Sequence, residues 1–222
     1  MGTTPPLEIR RLGVMPYGEA LTLQKKLVAD RQSGTVPDLL LLLEHPHVVT
    51  VGVGARRSLK NLLVSESVLR ESGVELHQAP RGGDVTYHGP GQLVGYPILD
   101  LRPDRCDVHR YVRDLEEVLI RTAGAFGAQA SRDSGLTGIW VGNDKLAAIG
   151  VRVSRWVTSH GFALNISTDL GYFDLIRPCG IEGRGVTSLA KLTGVPVQIG
   201  EVTTVLVAAF ETVFGLDASN RE

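Results

Sequence analysis

Twelve residues, Arg81–Gln92, combine a high density of glycine with side chains that can bind ligands or move protons. The stretch reads RGGDVTYHGPGQ, with four glycines around an arginine, a threonine, a tyrosine and a histidine. Glycine lets backbone amides approach a ligand closely and adopts positive φ without strain, so the loop can present N–H donors to a carbonyl or an anion. The alternative is a pair of ordinary turns flanking a strand over residues 85–87. The spacing leaves both interpretations open.

Cys179 is a second candidate for chemistry, because it stands between Pro178 and Gly180. These neighbours favour a turn, in which the sulfur can be reached. A free thiol has a pKa of about 8.5 and reacts as the thiolate, so a catalytic cysteine needs a nearby cation or helix N-terminus to lower that pKa. An isolated cysteine is more often a small core residue. Cys106, just before the longest predicted helix, lacks such a setting and is expected to be inert.

Lys145 begins the segment KLAAIGVR, in which Ala148 and Gly150 leave room for a ligand beside a strand. A lysine next to a hairpin turn is usually just solvated, so its position is weak support for a site. His160 begins a similar segment, HGFALN, with small residues near polar ones. For this histidine, a hydrogen-bonded position in a sheet is the favoured interpretation over a catalytic base.

Hydrophobic periodicity predicts an α/β protein that would hold these residues on strands and loops. Apolar residues three and four apart predict helices from about residue 17 to Gly34 and over 65–72, 107–126 and 202–214. For the third, Asp107 is a good N-cap and Gly127 a good C-terminal stop. Strands are predicted at 38–44, 74–78, 138–141, 145–154 and 156–166, with 48–51 continuing the sheet of 38–44 after a tight turn. The turn at 142–144 predicts a hairpin.

The composition excludes several classes of function. The chain has 222 residues, and its 23 lysines and arginines against 24 aspartates and glutamates give a net charge of −1. A nucleic-acid binder needs a surplus of cations on one face, so no nucleic-acid partner is expected. The longest aliphatic block, 39–43, is too short to cross a bilayer, and the N-terminus has no apolar run typical of a signal peptide. We therefore expect no membrane contact and a cytoplasmic location.

Several cofactor motifs are missing from the sequence. No lysine directly follows a glycine, which excludes a P-loop, and no Gly-x-Gly-x-x-Gly follows a strand. His45 and His47 flank a proline without a Cys-x-x-Cys or His-Glu-x-x-His motif, so they are expected to be turn residues rather than metal ligands. The sequence thus predicts neither a metal site nor a cofactor.

Taken together, these segments resemble the octanoyltransferases of lipoate biosynthesis, also called lipoyl(octanoyl) transferases. The resemblance runs from about residue 39 to 192 in the same segment order, and it includes Thr187-Ser188-Leu189. The segments that carry it are Arg81–Gln92, Lys145-x-Ala147-Ala148-x-Gly150, His160-Gly161-x-Ala163-Leu164-Asn165 and Pro178-Cys179-Gly180. Asp84 and Val49 depart from the family pattern, which has glutamine and an aromatic residue there.

The resemblance implies an α/β (α+β) fold shared with biotin and lipoate protein ligases, with a mixed central sheet flanked by helices. The whole chain, 1–222, would then form one catalytic domain, in which about 190–222 make a small C-terminal lobe. It also implies that Cys179 attacks the thioester of octanoyl-acyl carrier protein, with Lys145 as its acid/base partner. The substrate-binding residues implied by the family are Arg81, Gly82, Gly83, Asp84, Val85, Thr86, Tyr87, His88, Ala148, Ile149, Gly150, Gly161, Phe162 and Ala163.

The partners implied by the resemblance are proteins. The donor would be octanoyl-acyl carrier protein, and the acceptors would be lipoyl domains of 2-oxoacid dehydrogenase complexes and the glycine cleavage H protein. Six cations can be considered as a docking surface for such acidic partners, although solvated charges are the simpler interpretation. They are Arg56, Arg57, Lys60, Arg152, Arg155 and Arg184.

Two other functions stay open at this stage. An ATP-dependent lipoate or biotin ligase shares the fold and the lysine segment, but it needs no cysteine nucleophile, so Pro178-Cys179-Gly180 argues against it. A non-catalytic module that binds acyl carrier or lipoyl domains is the other alternative, and it predicts that Cys179→Ser changes nothing.

Overall fold

A computed structural model describes residues 6–55, 59–177 and 183–220. The strands in these ranges are β1 (Pro6–Val14), β2 (Asp38–Glu44), β3 (Val48–Val51), β4 (Glu75–Gln78), β5 (Val85–His88), β6 (Gln92–Ile98), β7 (Ser131–Asp133), β8 (Leu136–Val141), β9 (Asp144–Ser154), β10 (Val157–Asn165), β11 (Gly185–Val186) and β12 (Asp217–Asn220). The helices are α1 (Tyr17–Gln32), α2 (Glu66–Glu71), α3 (Val108–Ala125), α4 (Leu189–Thr193) and α5 (Ile199–Phe214).

The main sheet is mixed, with strand order β12-β1-β2-β6-β10-β9-β8-β7 and β11 paired to β9. Its central strand β2 alternates leucines between two cores. Leu40 and Leu42 face the core beneath α3 and α5, whereas Leu39 and Leu41 face the core beneath α1. The prediction of a mixed sheet flanked by helices, with β2 buried on both faces, is confirmed.

A second, smaller sheet has the order β4-β3-β5. The prediction that residues 48–51 continue the main sheet is therefore wrong, since β3 pairs with β4 and β5 instead. The cause lies in the turn before it. The ring of His45 is buried and hydrogen-bonded to the Met15 carbonyl (2.6 Å) and the Tyr96 hydroxyl (2.7 Å). Pro46 has no N–H to donate to a ladder, so the chain leaves the main sheet there.

Local sequence signals account for the helix α3 and the hairpin β8–β9. The Asp107 side chain accepts hydrogen bonds from the backbone N–H groups of His109 (2.8 Å) and Arg110 (3.1 Å), as an N-cap does. Gly127 takes positive φ beyond the helix end, and Gly142 does so in the hairpin turn. Both predictions are confirmed. Within the described ranges, no helix is both long and apolar enough to span a lipid bilayer.

Several elements were not foreseen, among them the short strands β7, β11 and β12 and the helix α4. The helix α5 begins at Ile199, three residues earlier than the periodicity predicts, and it packs on α3 within the main core. The strands β1 and β6 were not predicted at all. The strand β6 is buried along its whole length, but Gly95 and Pro97 hide its strand character in the sequence.

Gly95 leaves the space that Phe162 fills on the neighbouring strand. The two residues are direct partners between β6 and β10, and a Cβ at position 95 would lie only 2.1 Å from the Phe162 ring. We expect Gly95→Ala to lower the free energy of unfolding by about 1–3 kcal/mol, because the buried ring has to move. Chemical denaturation measures the change.

Gly124→Ala is the matched control, since Gly124 lies in α3 and a methyl group added there would meet nothing within 4 Å beyond its chain neighbours and the backbone of its own helix. It should raise the free energy of unfolding by about 0.5–1 kcal/mol, the usual difference between alanine and glycine inside a helix. Equal denaturation midpoints for Gly95→Ala and the unmodified protein would contradict the packing argument.

Candidate active site

A cavity of about 580 Å³ opens between the main sheet and the second sheet, a size typical of small-molecule sites. Thirteen of the fourteen predicted substrate-binding residues line it, the exception being Tyr87. The Tyr87 side chain lies in the neighbouring core instead, where its hydroxyl bonds to His47 (2.7 Å) and its ring packs on Tyr172 and Phe173. Tyr87 therefore contributes to the core behind the cavity rather than to its lining, and its role as a substrate-binding residue stays a prediction.

The glycine-rich loop before β5 forms one wall of the cavity. It is held by backbone hydrogen bonds from Gly82 N–H to the Val151 carbonyl (2.9 Å) and from Gly54 N–H to the Gly83 carbonyl (3.0 Å). Gly83 adopts φ +84, and a Cβ at Gly52 would lie 2.4 Å from the Gly83 oxygen. Gly52 and Gly83 therefore allow the loop to approach the end of β3 closely, and Gly82 connects the loop to β9 of the main sheet.

Arg81 brings a buried positive charge to this wall. Its guanidinium donates to the Thr50 carbonyl (2.9 Å) and hydroxyl (2.8 Å) and to the Gly82 carbonyl (3.0 Å). Burial, then the charges of Arg81 and Arg152, lowers the pKa of His160 to about 4. Burial, together with His45 and Arg81, also lowers the pKa of His88 well below its ordinary value. The cavity thus presents neutral imidazoles at neutral pH.

His160 is held in an uncommon backbone conformation inside β10. Its φ is +56, in the left-handed region that a non-glycine residue seldom adopts. The backbone N–H donates to the buried Gln24 side chain of α1 (2.7 Å), and the residue lines the cavity. Backbone strain of this kind is found mostly at ligand and active sites.

Lys145 lines the cavity at the start of β9 and is almost fully buried. Its Nζ lies 4.6 Å from the centroid of the Trp140 ring. The strand β9 pairs with β8 on one edge and, at its first residues, with β11 on the other. There Val186 is the partner of Lys145, and Thr187 N–H donates to the Lys145 carbonyl (3.0 Å). The Asn165 side chain in turn donates to the Thr187 carbonyl (3.0 Å). The chain that follows residue 182 therefore runs directly beside the predicted catalytic lysine.

Cys179, the predicted nucleophile, lies outside the described residues, as do Pro178 and Gly180. On the N-terminal side of this gap, Arg177 N–H donates to the Asn61 carbonyl (2.8 Å). The Asn61 side chain donates to the Asp84 carboxylate (2.5 Å) in the glycine-rich loop. Asn61 thus connects the cavity wall to the segment before Cys179, a link that no sequence motif indicated. Asp84, one of the two departures from the family pattern, is used in this contact.

Sequence reasoning missed several residues of the cavity wall. Tyr17 comes from the start of α1, Tyr96 from β6, and Val108 and Val112 from the first turns of α3. For the residues of α1 and α3 the only sequence signal was an apolar periodicity, which does not distinguish a core face from a ligand-facing one, and Tyr96 lies on a strand that was not predicted. In the described part of the chain, no group of three or more His, Cys, Asp or Glu side chains is arranged to hold a metal ion.

The six cations considered for docking have different surroundings. The Arg184 guanidinium pairs with Asp133 (2.7 Å) and lies over Trp140, and Arg155 donates to the Gln32 side chain. Lys60 and Arg152 are exposed. Arg56 and Arg57 lie outside the described residues.

The chain matches the lipoyl protein ligase A/B catalytic domain family over residues 16–211. It is 53% identical over 209 residues to the octanoyltransferase of Solibacter usitatus, covering 94% of this chain and 93% of that protein. It is 51% identical over 211 residues to the octanoyltransferase of Rubrobacter xylanophilus, covering 94% of each. This chain therefore belongs to the lipoyl protein ligase A/B catalytic domain family and, within it, to the octanoyltransferases, as the sequence motifs predict.

Solved structures with the same fold are more distant in sequence. A bipartite lipoate protein ligase from Thermoplasma acidophilum, studied with its E2 lipoyl domain, superposes with a TM-score of 0.74 at 17% identity, covering 97% of this chain and 86% of that chain. A lipoate-protein ligase A bound with ATP gives a TM-score of 0.72 at 17% identity, covering 98% and 88%. The predicted ligase-like fold is confirmed.

The lowered pKa of His160 predicts a loss of stability in acid. A histidine with a pKa near 6.5 when unfolded and about 4 when folded binds more protons in the unfolded state between these values, so stability falls as pH drops through that window. By pH 5 the loss from this residue is about 2 kcal/mol. His160→Asn, which tolerates left-handed φ, should remove that part of the pH dependence.

Denaturation midpoints at pH 7 and pH 5 measure the effect. His109 is exposed on α3, and His109→Asn serves as the control. The assignment is contradicted when His160→Asn loses as much stability between the two pH values as the unmodified protein does.

Proposed function

We propose that this chain transfers an octanoyl group from octanoyl-acyl carrier protein to a lysine of lipoyl domains, through a thioester on Cys179. The observation that carries the proposal is a largely apolar cavity with a buried lysine in its wall, in a chain about half identical to proteins named octanoyltransferase. Lipoyl domains of 2-oxoacid dehydrogenase complexes and the glycine cleavage H protein are the proposed acceptors. The cytoplasm is the proposed location.

In the first half reaction the Cys179 thiolate attacks the carbonyl carbon of the donor thioester. Lys145 accepts the proton of the Cys179 thiol before the attack and gives it to the carrier's sulfur, which departs as a thiolate. One thioester forms as another breaks, so no nucleotide is consumed. Backbone N–H groups of the glycine-rich loop are the proposed donors to the developing oxyanion.

In the second half reaction the amine of the acceptor lysine attacks the acyl-Cys179 thioester. Lys145 takes a proton from the attacking amine and delivers it to the Cys179 sulfur as the C–S bond breaks. The product is an amide, which is more stable than the thioester, so this step drives the overall transfer.

The octanoyl tail is proposed to lie along the face of β9 and β10. Ala148, Gly150, Gly161 and Ala163 line the cavity there. The two glycines make room for the protein's own atoms, since a Cβ at Gly150 would lie 2.9 Å from the Gly82 oxygen and one at Gly161 2.2 Å from the Gly95 oxygen. The small side chains of Ala148 and Ala163 are therefore the proposed floor of the channel. Burying seven carbons beyond the carbonyl contributes about 5 kcal/mol at ~0.8 kcal/mol per methylene. The neutral state of His88 and His160 suits this occupant, because a charged imidazole would resist the removal of water by an apolar chain.

The competing function is ATP-dependent ligation, which is considered because lipoate protein ligases share the fold. It would use Lys145 and the glycine-rich loop to hold an acyl-adenylate and would leave Cys179 without a role. Transfer from octanoyl-acyl carrier protein in the absence of nucleotide separates the two functions.

Single-turnover mixing with octanoyl-acyl carrier protein, without nucleotide, should add one octanoyl group to the protein. Cys179→Ser should abolish this adduct, and Lys145→Met should slow its formation by about 10²–10⁴-fold, the usual contribution of general acid–base catalysis. Intact-mass spectrometry follows the adduct over time.

Cys106→Ser is the matched control, because Cys106 is an exposed cysteine outside the cavity wall, and it should acylate normally. A nucleotide requirement, or an unchanged adduct in Cys179→Ser, would overturn the proposed mechanism.

A further inference from the structure

Trp140 lies between the predicted catalytic lysine and the chain that follows the predicted nucleophile. Its buried ring has the Lys145 Nζ at 4.6 Å and the Arg184 Cζ at 5.1 Å from its centroid. Arg184 comes five residues after Cys179 in the sequence. Cations are attracted to the face of an indole ring, and most strongly where water is excluded. One ring therefore contacts side chains from both segments that the reaction has to bring together.

The Arg184 guanidinium is held by the Asp133 carboxylate in addition to the Trp140 ring. Its carboxylate Oδ2 accepts from Arg184 Nη1 at 2.7 Å, and both side chains are about three-quarters buried. Asp133 belongs to β7, which pairs with β8 beside Trp140. A planar guanidinium can bond to a carboxylate and stack on a ring at once, which an ammonium group cannot do. Arg184 is thereby attached to the edge of the main sheet.

The backbone next to Arg184 approaches the lysine strand closely. Gly185 is the partner of Asp144 between β11 and β9, and a Cβ at position 185 would lie 2.2 Å from the Asp144 carboxylate. Since that carboxylate is the mobile end of a side chain, the pairing of the two backbones, rather than the glycine, holds the segments together here. The side-chain contacts of Arg184 hold the chain at the residue directly before those that pair with β9.

We propose that Asp133, Arg184 and Trp140 form a clamp whose task is to set the geometry between Lys145 and the Cys179 segment. The inference rests on the proposed function, since it takes Lys145 and Cys179 as the reacting pair. None of the three clamp residues is among those that line the cavity, so they are positioning residues that leave substrate binding to others. Arg184 therefore serves within the molecule rather than as a docking cation.

The test measures the acylation rate constant and the KM for octanoyl-acyl carrier protein separately. Arg184→Gln, Asp133→Asn and Trp140→Leu should each lower the rate constant by about tenfold or more, because small displacements of catalytic groups are costly. KM should change less than about twofold, since the clamp does not line the cavity. Trp140→Phe keeps an aromatic face and should recover most of the rate.

Arg121→Gln is the matched control, because it removes an ion pair to Glu117 (2.9 Å) on the exposed surface of α3. It should leave both constants unchanged. Normal rate constants in Arg184→Gln and Asp133→Asn, or a raised KM with an unchanged rate constant, would overturn the clamp. If Trp140→Leu fails to fold, Arg184→Gln and Asp133→Asn still test the clamp, since the Arg184 and Asp133 side chains are partly exposed.

A second measurement separates the clamp from the proposed function. Iodoacetamide alkylates cysteine thiolates without any acyl donor, and peptide mapping gives the rates for Cys179 and for exposed Cys106 as an internal reference. Arg184→Gln should slow Cys179 at least about threefold, because a displaced lysine no longer favours the thiolate, with Cys106 unaffected. Equal Cys179 rates in both proteins overturn the clamp. A wild-type protein without an octanoyl adduct overturns the proposed function instead.

Discussion

The proposed chemistry depends on keeping one primary amine, that of Lys145, out of water at the wall of the cavity. Burial of an ammonium group costs free energy unless other groups compensate for the lost hydration. For Lys145, the Trp140 ring at 4.6 Å supplies part of that compensation. The strand β9 positions the backbone of Lys145, since it is paired with β8 and β10 and, at its first residues, with β11. The lysine therefore starts from a backbone that is fixed on both edges.

The same strand explains why the cavity suits an acyl chain. Lys145 stands at its beginning, small residues follow at Ala148 and Gly150, and Val151 meets the glycine-rich loop at its far end. One run of residues thus supplies both the proposed catalytic amine and the wall along which the tail is proposed to lie. The buried charge of Arg81 helps to keep the histidines of this wall neutral, which leaves the cavity suited to an apolar group.

Elements with strong local signals could be predicted from the sequence, whereas pairing between distant segments could not. Asp107 and Gly127 mark the ends of α3 by capping chemistry that involves only near neighbours, and Gly142 marks a hairpin in the same way. The second sheet escaped prediction because β3 resembles a continuation of β2, and a buried histidine hydrogen bond, invisible in the sequence, redirects the chain. Most cavity residues were found through family motifs, but a motif does not tell which of its side chains pack into a neighbouring core, as Tyr87 does. Asn61 and the Trp140 contacts arise only from the fold.

The central claim is that the Cys179 sulfur and the Lys145 amine meet at the wall of this cavity, and proximity labelling tests it most directly. Ortho-phthalaldehyde joins a thiol and a primary amine that lie side by side into a fluorescent isoindole. The account predicts one such crosslink between the peptides of Cys179 and Lys145, formed equally well in Cys106→Ser and lost when octanoyl-acyl carrier protein has first acylated the enzyme. Fluorescence without a Cys179–Lys145 crosslink, or a crosslink that persists in Lys145→Met, would contradict it.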